Sequence, residues 1–202
     1  MRRVRCNASL SLRTATEIAA AGGVQITRWA TDGPAALREL PAVPASGAPR
    51  TGAYGPRGAR LAFGTDSGSV HLWDLGDEPT ELAALPAGAR PVPAVSFSPD
   101  GRILAAGSHD GAIRLWDLSA PAAPGPVRML TGLVDLQVTT TGFSPDGRHL
   151  LVSSTDSTLR IVGTGTWTVQ RTLPHPDVVT WAEFTANGSS VVSVATHGAF
   201  RR

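Results

Sequence analysis

Phe97-Ser98-Pro99-Asp100-Gly101 recurs as Phe143-Ser144-Pro145-Asp146-Gly147, and this doubling decides the fold. Weaker copies stand at Phe184-Thr185-Ala186-Asn187-Gly188 and Tyr54-Gly55-Pro56-Arg57-Gly58, so the aromatic returns at intervals of 43, 46 and 41 residues. A period of about 40 to 50 residues points to structural units stacked side by side. The distance from that aromatic to the end of the next alternating run is constant. Tyr54 to Trp73, Phe97 to Trp116 and Phe143 to Val162 each span 19 residues.

Within the clearest copy, Ala94-Val95-Ser96-Phe97 reads as a short strand and Pro99-Asp100-Gly101 as a turn. Ile103-Leu104-Ala105-Ala106 resumes an apolar strand. His109-Asp110-Gly111 then places glycine where a positive φ is needed, and Ala112-Ile113-Arg114-Leu115-Trp116 alternates as a half-buried strand does. The 27 residues from Trp116 to Phe143 leave room for a fourth strand near Val127-Arg128-Met129-Leu130, after the loop Pro121-Ala122-Ala123-Pro124-Gly125-Pro126. Four antiparallel strands per unit is the blade count of a β-propeller, so the expected fold is all-β.

Leu72-Trp73-Asp74-Leu75 and Leu115-Trp116-Asp117-Leu118 resemble the tryptophan-aspartate dipeptides that close the third strand of WD-repeat blades. The resemblance covers most of the chain. It implies a hydrogen-bonded network in each blade: a histidine before the first strand, a serine or threonine in the second, an aspartate in the turn and the tryptophan. No unit retains all four. The third has Ser108, Asp110 and Trp116 but Gly88 at the histidine position. The fourth has Ser154 and Asp156 with Val134 and Val162 at the outer places, and the last has His175 but His197 at the aspartate position. A buried aspartate without its partners costs about 1 to 3 kcal/mol, so water or backbone groups are expected to substitute.

The first unit is the weakest. Trp29 lies 25 residues before Tyr54, close to the 24 between Trp73 and Phe97, and occupies the tryptophan position. Glu17 to Ile26 reads as its second and third strands around a glycine turn, and Pro41 to Gly58 as a loop plus a poor first strand. The expected division is therefore a degenerate first blade with its Pro/Ala/Gly-rich loop over 1–53 and WD-repeat blades over 54–202, the last truncated. Somewhat under five blades is too few for the seven that commonly close such a ring. The expectation is an incomplete ring: a split or truncated gene product, or one part of a ring completed by a partner. Its unpaired edges would favour self-association.

Composition narrows the function classes. No apolar run approaches the roughly 20 residues that span a bilayer, and the basic start Met1-Arg2-Arg3-Val4-Arg5 leads into polar residues rather than a signal core. The single cysteine, Cys6, fits a reducing compartment, and the expected location is cytoplasmic. Every one of the 18 basic residues is arginine, but they are scattered and balanced by 16 acidic residues, which argues against nucleic-acid binding. No nucleophile elbow, HExxH, phosphate loop or dinucleotide fingerprint is present, so the expectation is no enzyme, with no catalytic residue, cofactor or metal. His175 has no nucleophile or carboxylate motif beside it and reads as structural. Asp100, Asp110, Asp117, Asp146 and Asp156 recur singly rather than in one calcium loop and read as turn and strand-end residues.

The remaining reading is a non-catalytic scaffold for protein-protein interaction, alone or as a fragment of a larger WD-repeat regulatory protein. The alternatives are an envelope-type accessory propeller and a propeller enzyme. The resemblance implies partner contacts four and six residues before the strand-one aromatic and one before the turn aspartate. These are Pro93, Pro91 and His109 in the third unit, Thr139, Gln137 and Thr155 in the fourth, Thr180, Val178 and Thr196 in the last, and Arg50 and Asp66 in the second. Trp167 and Trp181 are candidate exposed anchors for a partner, with packing at a turn between strands the favoured reading for Trp167 and packing against a neighbouring blade the favoured reading for Trp181. The sequence names no partner.

Overall fold

The structure, a computed structural model, describes residues 9–11, 17–22, 25–30, 38–120, 124–133, 136–196 and 200–201. The readings on Cys6, Val134, His197, the loop residues 121–123 and the glycine turn at 23–24 lie outside them. The described residues form strands arranged in five sheets. β1 (Ser9–Ser11) stands alone in sequence. Blade I has β2 (Glu17–Gly22), β3 (Gln25–Ala30) and β4 (Arg38–Pro44). Blade II has β5 (Pro49–Tyr54), β6 (Arg60–Thr65), β7 (Ser69–Asp74) and β8 (Thr80–Pro86). Blade III follows with β9 (Ala94–Phe97), β10 (Ile103–Gly107), β11 (Ile113–Asp117) and β12 (Gly125–Leu130). Blade IV has β13 (Val138–Phe143), β14 (His149–Ser154), β15 (Thr158–Gly163) and β16 (Thr168–Pro174). Blade V has β17 (Val179–Phe184), β18 (Val191–Ala195) and β19 (Phe200–Arg201).

Each blade is an antiparallel meander, and the register repeats from one to the next. Tyr54 faces Leu61, Phe97 faces Leu104, Phe143 faces Leu150 and Phe184 faces Val191. The third strand closes equally regularly: Trp73 faces Leu61, Trp116 faces Leu104, Val162 faces Leu150, and Trp29 faces Ile18. Trp29 therefore holds the tryptophan position. The stretch read as a loop plus a poor first strand contains the end of β4 and all of β5. Its prolines sit where a strand tolerates them: Pro44 ends an outer strand, Pro49 starts an inner one, Pro41 falls at the register shift within β4, and Pro56 lies in the turn after β5. β1 pairs in parallel with β5, Ser9 opposite Thr51.

The core lies between blades. Between II and III, Ala62, Leu72, Leu85, Val95, Leu104 and Trp116 form one buried cluster. Between III and IV, Ala105, Ile113, Leu115, Phe143, Leu150 and Val152 form the next. Leu104 and Ala105 are neighbours in β10 that serve opposite interfaces, which explains the continuous apolar run at 103–106: both faces of the sheet are covered. The outermost strand β16 is exposed at every residue and reads Thr-Val-Gln-Arg-Thr-Leu-Pro. No strand pairing joins the first and last sheets among the described residues.

The turns between first and second strands interlock across blades. Gly101, Gly147 and Gly188 all have φ near +70°. A β-carbon on each would touch the proline of the preceding blade's turn: Pro56 at 3.3 Å, Pro99 at 3.6 Å and Pro145 at 3.4 Å. The proline and glycine of Ser-Pro-Asp-Gly thus act on different blades as well as in their own turn. Trp167 lies in the turn after β15 with φ 57°, donates its backbone N–H to the Gly163 carbonyl at 2.7 Å and packs against the III–IV core. Trp181 departs from expectation and is 44% exposed. Side chains alternate along a strand, and since Ala182 and Phe184 turn toward blade IV, Trp181 faces the other side of β17.

Candidate functional site

The structural network expected in each blade is present in altered form. Ser108 Oγ accepts the Asp110 N–H at 3.2 Å and Ser154 Oγ accepts the Asp156 N–H at 3.3 Å, so these serines close the turn between the second and third strands. Asp110 Oδ1 accepts the Ala112 N–H at 2.9 Å, and Asp156 Oδ1 accepts the Thr158 N–H at 2.9 Å. The second carboxylate oxygen of each meets an arginine four residues on, Arg114 Nη2 at 2.8 Å and Arg160 Nη1 at 2.7 Å. At Gly88, where the family pattern puts histidine, a β-carbon would lie 2.7 Å from Asp110 Oδ2 and 3.2 Å from Arg114 Nη2. The guanidinium occupies the histidine's place.

These partners set the carboxyl groups' charge. Burial pushes Asp110 upward, but the Arg114 hydrogen bond and the Ala112 N–H outweigh it and hold the carboxyl below its ordinary range. Burial likewise opposes ionisation of Asp156, and Thr158 with Arg160 overcomes it. The sequence reading missed both arginines, although each lies two residues before Trp116 or Val162 and four after its aspartate.

Blade V uses its histidine. His175 Nδ1 lies 3.1 Å from the Leu173 carbonyl, which can only accept, so the Nδ1–H tautomer is assigned and Nε2 accepts from Ser193 Oγ at 2.8 Å. Ser193 is two residues before Ala195, which holds the register of Ser108 and Ser154. The hydroxyl that meets a histidine is therefore at the register of Ala106 and Val152, not at that of the expected serines. In blade II, Thr65 Oγ1 and Ser67 Oγ share a hydrogen bond at 2.9 Å, His71 Nδ1 lies 2.6 Å from Glu81 Oε1, and Trp73 Nε1 is buried without an acceptor among the described residues. Asp74 and Asp117, which follow the tryptophans, cap the strand ends: Asp74 accepts the Gly76 N–H at 3.0 Å and Asp117 the Ser119 N–H at 2.7 Å.

The turn aspartates are also engaged. Asp100 Oδ1 accepts Ser98 Oγ–H at 2.5 Å and the Arg102 N–H at 3.0 Å; Asp146 Oδ1 accepts Ser144 Oγ–H at 2.6 Å and the Arg148 N–H at 3.0 Å. The Ser98 hydroxyl holds Asp100, and the Ser144 hydroxyl Asp146, below the ordinary carboxylate range. Among the described residues no group of three His, Cys, Asp or Glu side chains is placed to hold a metal ion.

The candidate partner residues come together pairwise at one rim of the blades. The Pro91, Gln137 and Val178 carbonyls each accept, at 2.9 Å, the backbone N–H of His109, Thr155 and Thr196 respectively, and in blade II the Ala48 carbonyl accepts the Asp66 N–H at 3.0 Å. Every blade from II to V thus ties the segment before its first strand to its second turn. Arg50 Nε pairs with Asp66 Oδ1. Thr139 Oγ1 bridges Ser153 Oγ at 2.7 Å and the Val179 carbonyl of the next blade at 2.6 Å, and Thr180 Oγ1 donates to the Val194 carbonyl at 3.2 Å. Pro93 is half-buried just before β9. The rim is a set of rigidly held backbone turns carrying mostly hydroxyl and small side chains, with charge concentrated between blades II and III.

The four-stranded sheets, their shared register and the interblade cores define the class: these are β-propeller blades. Residues 80–117 and 126–162 match the family model "WD domain, G-beta repeat", so these two segments are WD repeats. Each matched segment begins on the outer strand of one blade and ends on the third strand of the next, β8 to β11 and β12 to β15. Comparison with curated proteins gives no match. A chain in the crystal structure of a mitotic checkpoint complex is similar in fold, with a TM-score of 0.77 at 18% identity. The alignment covers 89% of this chain and 53% of that one, so this chain spans about half the length of that neighbour.

Proposed function

We propose that the chain is a non-catalytic scaffold that holds a protein partner on the rim formed by Arg50, Asp66, Pro91, Pro93, His109, Gln137, Thr139, Thr155, Val178, Thr180 and Thr196. WD-repeat propellers are in general interaction modules, and the coarse function follows from the repeats and the fold. The observation that carries the rim assignment is the repeated backbone bond from the turn residue to the segment before the first strand. It holds the loops through the main chain, with the Thr139, Thr155, Thr180 and Thr196 hydroxyls adding bonds of their own, and binding surfaces are commonly such loops on a fixed scaffold. The opposite turns are closed by their own Ser–Asp bonds and interlocked by proline and glycine, leaving fewer free groups there.

In this reading the chain is cytoplasmic and a partial propeller, with its degenerate blade in 1–53 and its working blades in 54–202, except that β5 of blade II, which carries Arg50, spans that boundary at Pro49–Tyr54. No helix among the described residues is long and apolar enough to cross a membrane. The test is site-specific photo-crosslinking in cells, with the reactive residue at Gln137 or Thr155 on the rim and, in parallel, at Asp146 or Arg148 on the opposite turns. Discrete crosslinked partners at the rim positions alone are expected. Equal or greater crosslinking at Asp146 and Arg148 overturns the assignment.

A further inference from the structure

One sector of the rim differs chemically from the rest. Arg50 and Asp66 of blade II form an exposed ion pair with side chains 48% and 45% accessible. The turn that follows Asp66 supports the next segment of chain: a β-carbon on Gly68 would lie 2.8 Å from the Gly88 carbonyl carbon and 2.9 Å from the Arg90 carbonyl oxygen. Arg90 is exposed, has no ion pair among the described residues, and precedes Pro91, whose carbonyl holds the His109 N–H. Arg50, Arg90 and His109 thus stand near one another between blades II and III, with Asp66 paired to Arg50 and Asp110, beside Gly88, paired to Arg114, so that Arg90 is the guanidinium of this sector without an ion pair among the described residues. Burial lowers the His109 pKa, and the positive charges of Arg50 and Arg90 lower it further against the pull of Asp66, as a cationic environment requires.

The corresponding rim positions of later blades carry no cation. Where blade II has Arg50, later blades have Pro93, Thr139 and Thr180; where blade III has Arg90, blade IV has Leu136, which is 53% exposed. A basic notch is therefore followed, one blade on, by an exposed leucine.

We infer that this sector binds an acidic peptide segment, its carboxylates taken by Arg90, His109 and Arg50 and a following apolar side chain resting on Leu136. The inference rests on the rim reading above and specifies its ligand. Charge-assisted hydrogen bonds from guanidinium to carboxylate supply affinity and orientation. Two guanidiniums at one notch, with the His109 imidazole held toward its neutral form, are too few and too local for the extended stripe that a nucleic-acid backbone demands.

The test is fluorescence anisotropy of the full chain with a labelled peptide Gly-Glu-Glu-Ala-Leu-Gly, its glutamine counterpart Gly-Gln-Gln-Ala-Leu-Gly, and a labelled single-stranded oligouridylate. The glutamate peptide is expected to bind saturably and more tightly than either other probe. Arg90→Ala is expected to weaken it about 10- to 100-fold, the loss of one charged hydrogen bond, and Leu136→Ser to weaken it less, with unchanged thermal melts in both. Equal binding of the glutamine peptide, tighter binding of the oligonucleotide, or an Arg90→Ala variant that binds like the parent overturns the inference. If no peptide binds while rim crosslinks persist, the acidic ligand is wrong and the rim assignment stands; loss of the rim crosslinks removes both.

Discussion

The carbonyl oxygen of Val92 lies 2.5 Å, and its Cγ1 2.7 Å, from the point where Gly64 would carry a β-carbon. Gly64, near the end of blade II's second strand, is the floor on which the first strand of blade III begins, and Val92 N–H donates to the Thr65 carbonyl beside it at 3.0 Å. The relationship recurs one blade on, where Val138 packs on Gly107 and its N–H reaches the Ser108 carbonyl at 3.3 Å. The close approach joins consecutive blades by backbone as well as by side chains.

Gly64→Val should therefore force blade III away from blade II. The obstacle is a backbone carbonyl rather than a flexible side chain, so the expected destabilisation is about 3 kcal/mol, which lowers the Tm of a chain this size by roughly 6 to 12 °C. Differential scanning calorimetry checks this. A Gly165→Val control, at a site where a β-carbon meets nothing within 4 Å, should melt close to the parent.

Arg28 is 2% exposed at the register where the other blades have Leu72, Leu115 and Ile161. Its guanidinium is held by Glu17 at 2.9 and 3.2 Å and reaches the Pro41 carbonyl at 3.4 Å, beside the buried Tyr54 hydroxyl, while its Nε has no hydrogen-bond partner among the described residues. Burial, and secondarily the Glu17 charge, raise the Tyr54 pKa. The double substitution Arg28→Leu with Glu17→Gln should leave stability unchanged or raise it by up to about 4 kcal/mol, since an ion pair is exchanged for packing. Glu17→Gln alone strands a buried charge and should destabilise the chain by about 3 kcal/mol. Urea unfolding of the three proteins measures the difference.

Asp110 and Asp156 give stability a defined pH dependence. Their folded-state pKa values are depressed, so their contribution is fully present above the ordinary carboxylate value near 4 and is lost as pH falls through the folded values. Arg160→Met should lower Tm at pH 7 and flatten the Tm profile between pH 4 and pH 2, because the unfolded and folded aspartate then titrate more alike. A profile parallel to the parent's would show that Arg160 does not set the Asp156 charge.

Ser193→Ala removes the hydroxyl that His175 Nε2 accepts from and should cost about 1 kcal/mol. Because the two lie on the first-strand approach and second strand of blade V, the loss should appear as faster amide exchange in β17 and β18 rather than in blades II and III. The His175 ring nitrogen resonances, followed by NMR, should shift in the same variant.

Much of the fold was legible because its signals are local. The Pro-Asp-Gly turns, the glycines at positive φ and the two-residue alternation depend only on neighbouring residues, and the 19-residue spacing then aligned Tyr54, Phe97 and Phe143 in one register. Trp29 could be placed by counting alone. The rim positions Arg50, Asp66 and His109 were reached by transferring a family pattern, and the structure brings their backbones to one edge.

Five features depended on which segments the fold brings together. Nothing local marks Arg114 as standing where the family has histidine; that follows from Gly88, on the approach to blade III's first strand, lying against Asp110 and Arg114 of its third-strand turn. The value of Gly64, the outward turn of Trp181, the burial of Arg28 against Tyr54 and the meeting of Arg90 with His109 have the same origin. Sequence by itself determined the strands, the turns and their repeat, because short-range backbone chemistry sets them. The tertiary structure alone decided which side chains share an interface, because contact between residues about 40 apart depends on how two twisted sheets stack, and that is written in no single repeat.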